Sequence, residues 1–278
     1  MKICFNETLD ASSLENDLIL CEKYGYDSME IRLAYLKDYL EEHSMDELKQ
    51  YFATHNIKPY GYNSIENINF CTPEEWEQRK ELFLFACEAV KELGGKSIVV
   101  VPTATEEMKE KTEQEIFEDS VKVLRELSDL ARPYGATIAW EPIGKELFCV
   151  KSARQGMDIV NAVDRDNVGI VVDIINLYLH NEFKDIDDLR AIPGDKIVVF
   201  HINDALDVPF DTMSTLLHRE YPGDGIIDVD EVYSIVKNSG YDGPASLELF
   251  GEWIEGKDPE EIIKTGYKKT KAVIDRAG

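Results

Sequence analysis

Several groups that mark common classes of protein are scarce or missing in this sequence. Its 5 cysteines are odd in number and include no Cys-x-x-Cys pair, which argues against a disulfide framework and a thiolate zinc site. No apolar run approaches the roughly 18 residues that a membrane-spanning helix needs. The cysteine usage fits a reducing cytoplasm, and an opening that turns polar within a few residues predicts no signal peptide.

Basic side chains are also scarce. There are 30 Lys and Arg residues against 55 Asp and Glu residues, and the formal net charge is -25. A field of this sign repels nucleic-acid backbones and anionic membrane surfaces. The sequence has no G-x-G-x-x-G after its first predicted strand and no G-x-x-x-x-G-K-[ST], so the usual phosphate-binding loops are missing. We therefore expect a small-molecule partner, no nucleic acid and no membrane.

The sequence does contain a regular alternation of apolar β-rich runs and longer helical patterns. Its 278 residues, 44% of them hydrophobic, suit either two domains or one α/β barrel of about 250 residues. Runs such as Ile98–Val101 and Ile170–Val172 are apolar on both strand faces, which is typical of a parallel sheet covered by helices. The predicted strands are Lys2–Asn6, Ser28–Arg32, Ile57–Tyr62, Lys96–Val101, Ala136–Glu141, Val168–Asp173, Lys196–Ile202 and Ala245–Phe250.

The segments between these strands have apolar residues at helical spacing and carry capping signals, such as Thr72 followed by a proline and two acids. Predicted helices are Leu14–Tyr24, Pro73–Leu93, Gln114–Ala131, Ala153–Val163, Asp228–Asn238 and Pro259–Ile274. Eight strands, most followed by a helix, with no linker between them predict a single (β/α)8 TIM barrel over residues 1–278. A doubly wound open sheet is the alternative. The long segment 203–224 after the seventh strand is expected to help build the active-site face.

Four consecutive strands end in strong metal ligands. These are Glu141, Asp173, His201 and Glu248, on the fifth to eighth strands. In a barrel all four lie at the C-terminal mouth, where three carboxylates and an imidazole are electrostatically costly without a cation. The donor set of three oxygens and one nitrogen suits Mn²⁺, Zn²⁺ or a similar ion, and the lack of thiolates predicts a catalytic site with open positions.

The chain resembles the xylose-isomerase-like TIM-barrel superfamily of sugar isomerases and epimerases, and within it the branch of keto-inositol isomerases. The resemblance covers nearly the whole chain. It is carried by segments that include Cys4-Phe5-Asn6-Glu7, Gly25-Tyr26-Asp27, Glu30-Ile31-Arg32, His201-Ile202, Pro222-Gly223-Asp224-Gly225 and Leu247-Glu248-Leu249-Phe250.

The resemblance implies one divalent metal ion (Mn, Zn or Co) held by Glu141, Asp173, His201 and Glu248. It also implies isomerisation or epimerisation of a polyol ketone, a keto-inositol or a ketose, by proton transfer through a metal-stabilised enediolate. Related ketose epimerases use the positions of Glu141 and Glu248 as acid and base, so both are expected to be catalytic. A hydride shift is the alternative route.

Three further residues are expected to bind substrate. Relatives often carry a histidine where this chain has Asn176, which can hydrogen-bond a hydroxyl but cannot shuttle a proton. The resemblance implies that Arg219 points at the substrate, with a surface ion pair as the alternative. Trp140 could stack on a sugar ring, as could Phe250, although aromatic residues near a barrel rim are usually packing. His180 is expected to lie at the surface.

Other functions stay open on the sequence alone. The same site could support ketose 3-epimerase chemistry or a lyase reaction on a 3-keto-sugar, and a non-catalytic sugar-binding barrel is a further alternative. An endonuclease IV-like phosphodiesterase would need three metals, more than the 5 histidines present and a basic groove. The chain is expected to be cytoplasmic and either a monomer or a homodimer.

Overall fold

A computed structural model describes residues 1–9, 12–145, 147–251 and 253–277. Eight parallel strands close into a barrel in the order β1-β2-β3-β4-β5-β6-β7-β10. The prediction of a (β/α)8 barrel is therefore confirmed, and the open sheet is wrong. The barrel strands are β1 Ile3–Asn6, β2 Ser28–Arg32, β3 Lys58–Ile65, β4 Ser97–Val100, β5 Thr137–Trp140, β6 Val168–Asp173, β7 Ile197–Ile202 and β10 Ala245–Leu247.

Strand residues alternate between the barrel interior and the helical layer, as the period of two requires. Val99 is in register with Ala139 and Val171 with Val199, and these four residues belong to one small buried cluster. Their chain neighbours, such as Ile138 and Trp140, belong instead to the large cluster that includes the helices. Both strand faces are thus dry, which explains the continuous apolar runs.

Ten α-helices surround the barrel in the described part of the chain. Thr72 and Thr112 close capping boxes at the starts of α4 and α5, and Gly25 ends α1 with φ 91°, a left-handed conformation that favours glycine. Among these helices none is long and apolar enough to span a bilayer. Their bounds are α1 Leu14–Tyr24, α2 Leu33–Glu42, α3 Met45–Thr54, α4 Pro73–Leu93, α5 Glu113–Ala131, α6 Ala153–Val163, α7 Ile174–Asn181, α8 Ile186–Arg190, α9 Val229–Asn238 and α10 Pro259–Ala277.

The sequence did not predict α2, α3, α7 or α8. Helices α2 and α7 begin directly at a strand end, so no turn residues separate them from the strand. The Arg32 side chain does not cap α2, whereas the Asp173 side chain caps α7 by accepting a hydrogen bond from the backbone N–H of Asn176. Asp173, a predicted metal ligand, therefore also caps α7, and for this reason the sequence pattern did not indicate that a helix begins there.

The long connection after β7 folds back over the barrel mouth. Its strands β8 Asp204–Ala205 and β9 Arg219–Glu220 pair antiparallel. The buried Asp204 carboxylate accepts hydrogen bonds from the backbone N–H groups of Ala205, Gly223, Gly225 and Ile227. A Cβ atom on Gly225 would lie 2.1 Å from the Ala205 carbonyl oxygen, so this turn requires glycine. These contacts fix the segment that carries Arg219.

Candidate metal centre

The four predicted ligands meet at the C-terminal end of the barrel. Asp173 ends β6, His201 lies in β7, and Glu141 and Glu248 directly follow β5 and β10. One ligand atom from each residue lies within 4.8 Å of all the others. None of the four residues is more than 4% exposed. The structure thus brings together side chains that are up to 107 residues apart in the chain.

The spacing around His201 suits a divalent cation. Its Nδ1 atom lies 3.4 Å from Glu141 Oε1, 3.5 Å from Asp173 Oδ2 and 3.3 Å from Glu248 Oε2. Ligands about 2.1 Å from a shared tetrahedral ion are roughly 3.4 Å apart, so these three separations fit one ion. Nδ1 is buried and has no hydrogen-bond partner within the described ranges. An unpartnered buried nitrogen ringed by oxygens is what a metal ligand requires.

Arg219 supplies a positive charge to the same cluster. Its Nη1 atom lies 2.8 Å from Asp173 Oδ2 and its Nη2 atom 3.1 Å from Glu248 Oε2. Burial acts to raise the pKa of Asp173, but the Arg219 guanidinium and His201 lower it well below its usual value. Burial raises the pKa of Glu248 well above its usual value, and the charges of His201 and Arg219 oppose this only in part. The site therefore contains a firmly ionised carboxylate beside one that can carry a proton.

Each carboxylate ligand accepts a hydrogen bond from an asparagine amide, and Glu248 Oε1 also lies 3.4 Å from a second asparagine amide, Asn63 Nδ2. These amides order the carboxylate oxygens without adding charge. Of these asparagines only Asn176 could be predicted from the sequence, because a lone asparagine after a strand is indistinguishable from a turn or cap residue. The pairs are Asn6 Nδ2 to Glu248 Oε1 (2.7 Å), Asn176 Nδ2 to Glu141 Oε1 (3.0 Å) and Asn203 Nδ2 to Asp173 Oδ2 (3.1 Å).

A cavity of about 220 Å³ opens over this cluster. Glu141 and Glu248 line it together with Asn176, Thr215 and Arg219. Both predicted acid–base residues, Glu141 and Glu248, and two predicted substrate contacts, Asn176 and Arg219, therefore line the same cavity. Polar groups that are few and convergent in a small cavity are typical of a small-molecule site.

Arg219 and Asn176 line the cavity, but both are also tied to the cluster. Arg219 Nε donates to the Thr215 carbonyl oxygen (3.0 Å) and Nη2 to Thr215 Oγ1 (3.0 Å). The Asn176 Oδ1 atom accepts a hydrogen bond from Thr215 Oγ1, and Arg219 Nη2 lies 3.4 Å away. The guanidinium lies 5.0 Å from the ring centre of Phe250, which also lines the cavity. Arg219 is buried, so the surface ion pair proposed as an alternative is wrong.

Trp140 does not belong to the site, and its prediction as a substrate contact is wrong. Its side chain is fully buried in the large core cluster that includes the helices. Glu141 is the next residue along the chain, and successive strand side chains point to opposite faces. The two residues could not both face the cavity. His180 lies exposed on α7, outside the cluster, as predicted for a surface histidine.

Fold and site together define a TIM barrel with a buried cluster of side chains that could hold a divalent metal ion. A family model described as "Xylose isomerase-like TIM barrel" matches residues 18–273, and the chain belongs to this family. The prediction from the sequence motifs is confirmed.

Individual relatives cover the whole chain. The inosose isomerase of Bacillus subtilis is 41% identical over 99% of this chain and 99% of its own length. The inosose isomerase of Bacillus velezensis is 40% identical over 99% of this chain and 98% of its own length. The crystal structure of the IOLI protein with a bound zinc atom superposes with a TM-score of 0.94 at 39% identity, covering 100% of this chain and 99% of that one.

Proposed function

We propose that this protein is a divalent-metal-dependent isomerase of a polyol ketone, with an inosose as its substrate and residues 1–278 as one domain. The observation that carries the proposal is the convergence of Glu141, Asp173, His201 and Glu248 on one buried point beside a small cavity. Inosose isomerases that are 38–41% identical over nearly the full length of this chain support the choice of substrate.

A divalent ion held by these four ligands would polarise the substrate carbonyl as a Lewis acid. The protein's own task is then to move one proton between neighbouring carbons. Glu141 and Glu248 line the cavity from strands that flank β6 and β7, so a ring bound between them faces a carboxylate on either side. One carboxylate removes the proton from the hydroxyl-bearing carbon next to the carbonyl, and the other delivers a proton to the former carbonyl carbon. The proton of that hydroxyl passes to the former carbonyl oxygen, so the ketone and the hydroxyl group exchange places.

The position of Glu248 in the cavity wall, together with a pKa that burial raises above its usual value, supports it as one of these groups. Asp173, ionised beside Arg219, stays a charged ligand. Asn176 cannot carry a proton at neutral pH, so the transfer rests on the two carboxylates. We assign Asn176 and Arg219 to substrate binding through the parts of their amide and guanidinium groups that face the cavity.

Metal removal tests this proposal. Exhaustive chelation should abolish the conversion of keto-inositols, measured by NMR, and Zn²⁺, Mn²⁺ or Co²⁺ should restore it. In deuterated water the restored enzyme should place deuterium on the reacting carbon. Full activity without metal would contradict the proposal. Retention of the substrate hydrogen would favour a hydride shift, and turnover of ketoses in place of keto-inositols would favour the epimerase alternative.

Metal stoichiometry tests the nuclease alternative, which needs three ions per chain. Within the described ranges one cluster of metal-ligating side chains is found, and it includes only one of the 5 histidines. We therefore expect one ion per chain. The cytoplasmic location and the homodimer remain predictions from the sequence.

A further inference from the structure

Strand β2 contributes no ligand, yet one of its side chains touches the cluster. Glu30 is fully buried inside the barrel, and its Oε1 and Oε2 atoms lie 3.2 and 3.3 Å from His201 Nε2. The β1–β2 register sets Glu30 beside Asn6, and the β7–β10 register sets His201 beside Ser246. From the sequence, Glu30 could either pair with Arg32 or line the pocket, with the pair favoured, so its contact with His201 is a finding of the structure.

The surroundings of Nε2 decide which nitrogen of His201 carries the proton. Two groups approach Nε2: the Glu30 carboxylate, which can only accept, and the Asn6 amide nitrogen at 3.4 Å, which can only donate. The Asn6 amide already donates to Glu248 Oε1 at the much shorter distance of 2.7 Å. The better hydrogen bond is therefore from Nε2–H to Glu30, and it leaves the lone pair of Nδ1 free.

We propose that Glu30 is a positioning residue of the metal centre. It holds the His201 ring in the tautomer and orientation that present the Nδ1 lone pair to the point where the three carboxylate ligands meet. Each ligand then has a hydrogen-bond partner of the complementary kind behind it. The three carboxylate ligands accept from asparagine amides, and the His201 imidazole donates to the Glu30 carboxylate. The inference rests on the proposed function only in that the centre binds a divalent ion.

Metal affinity in the absence of substrate tests this role. The variants are Glu30→Gln, which keeps a hydrogen-bond acceptor but removes the charge, and Glu30→Ala, which removes both. Glu7→Gln is the matched control, because Glu7 is a buried carboxyl just after β1 that is not among the ligand contacts. Competition with a chromogenic chelator gives the dissociation constant for Zn²⁺, and the visible spectrum of the Co²⁺ form reports the coordination geometry.

We expect Glu30→Ala to bind Zn²⁺ about 10- to 100-fold more weakly than the unchanged protein. Glu30→Gln should lie between the two, and both variants should alter the Co²⁺ spectrum. Affinity within twofold of the unchanged protein in both variants, with an unaltered spectrum, would overturn the inference. Should Glu30→Ala fail to fold by circular dichroism, Glu30→Gln alone decides by the same criterion.

These outcomes are separable from those of the proposed function. If the unchanged protein binds Zn²⁺ but does not act on keto-inositols, the substrate proposal fails while the Glu30 result still stands. If keto-inositols are converted but the Glu30 variants bind Zn²⁺ normally, the positioning role fails and the isomerase proposal is untouched.

Discussion

Two groups of buried acids lie in this barrel, and they differ in what surrounds them. In the metal centre the carboxylates accept hydrogen bonds from amides and contact the Arg219 guanidinium and His201. The second group, Glu7 after β1 and Asp17 on α1, is equally buried. Burial raises the pKa of Asp17 to about 7, and burial together with Asp17 raises that of Glu7 well above its usual value.

The comparison shows that burial alone does not make a metal site. Glu7 receives a hydrogen bond from the Arg32 backbone N–H, and the charge of Arg32 favours its ionised form, yet these effects do not overcome burial. In the described part of the chain, one oxygen of Glu7 and one of Asp17 have no hydrogen-bond partner. Burial therefore favours the protonated forms of Glu7 and Asp17, whereas the oxygens of the metal centre are arranged around a point that a cation fits.

The largest effect that distinguishes the two groups is expected for Glu248→Gln. The amide can neither accept nor return a proton and is a weaker metal ligand, so kcat should fall by about 10²- to 10⁴-fold with the metal at saturation. NMR in deuterated water measures both turnover and exchange of the reacting proton. Glu7→Gln is the control and should keep nearly full activity, because Glu7 lies outside the metal centre and burial there favours a neutral group. Unchanged exchange in Glu248→Gln would show that Glu248 is not an acid–base group.

A smaller effect is expected for Asn176→Asp. The change replaces the amide that donates to Glu141 Oε1 with a second carboxylate, and the two negative charges repel. We expect kcat to fall by about 10- to 100-fold and the acidic limb of the pH–rate profile to move to higher pH.

Asn181→Asp is the matched control for Asn176→Asp. Asn181 ends the same helix, lies outside the cavity and accepts a hydrogen bond from the Lys184 backbone N–H through Oδ1, which aspartate preserves. Its activity and pH profile should be those of the unchanged protein. Equal profiles for the two variants would contradict the assigned role of Asn176.

The strands and the convergence of the four candidate ligands could be predicted because both rest on one physical rule. A strand covered on both faces must be apolar, so a strong ligand at its end stands out. The same rule does not separate Glu141 or Glu248 from Glu30, which also follows an apolar strand residue. Their different surroundings depend on register and barrel tilt, which link strands distant in the chain.

The error at Trp140 has a different origin. Proximity in the chain suggested a shared site with Glu141, whereas strand alternation sends neighbouring side chains to opposite faces. The sequence did not predict Asn6 and Asn203 as site residues, because no local pattern marks them. Their role depends on which carboxylate each one contacts in the folded barrel. Contacts of this kind follow from the closed sheet and carry no local sequence pattern.

The smallest expected effect concerns stability and isolates the Glu7–Asp17 pair. An aspartate titrates near pH 3.9 in the unfolded chain but near pH 7 at position 17 of the folded protein. Between these values the folded state keeps a proton that the unfolded state has lost, so the free energy of unfolding should fall by up to about 1.4 kcal/mol per pH unit as pH rises, and level off above pH 7.

Asp17→Asn, which keeps an acceptor for Ser12 Oγ, should flatten this slope in urea denaturation at pH 5 to 8, while Asp38→Asn on the exposed face of α2 should not. Parallel curves for Asp17→Asn and the unchanged protein would show that Asp17 does not hold a proton, and the contrast between the two acid groups would then lie in geometry alone.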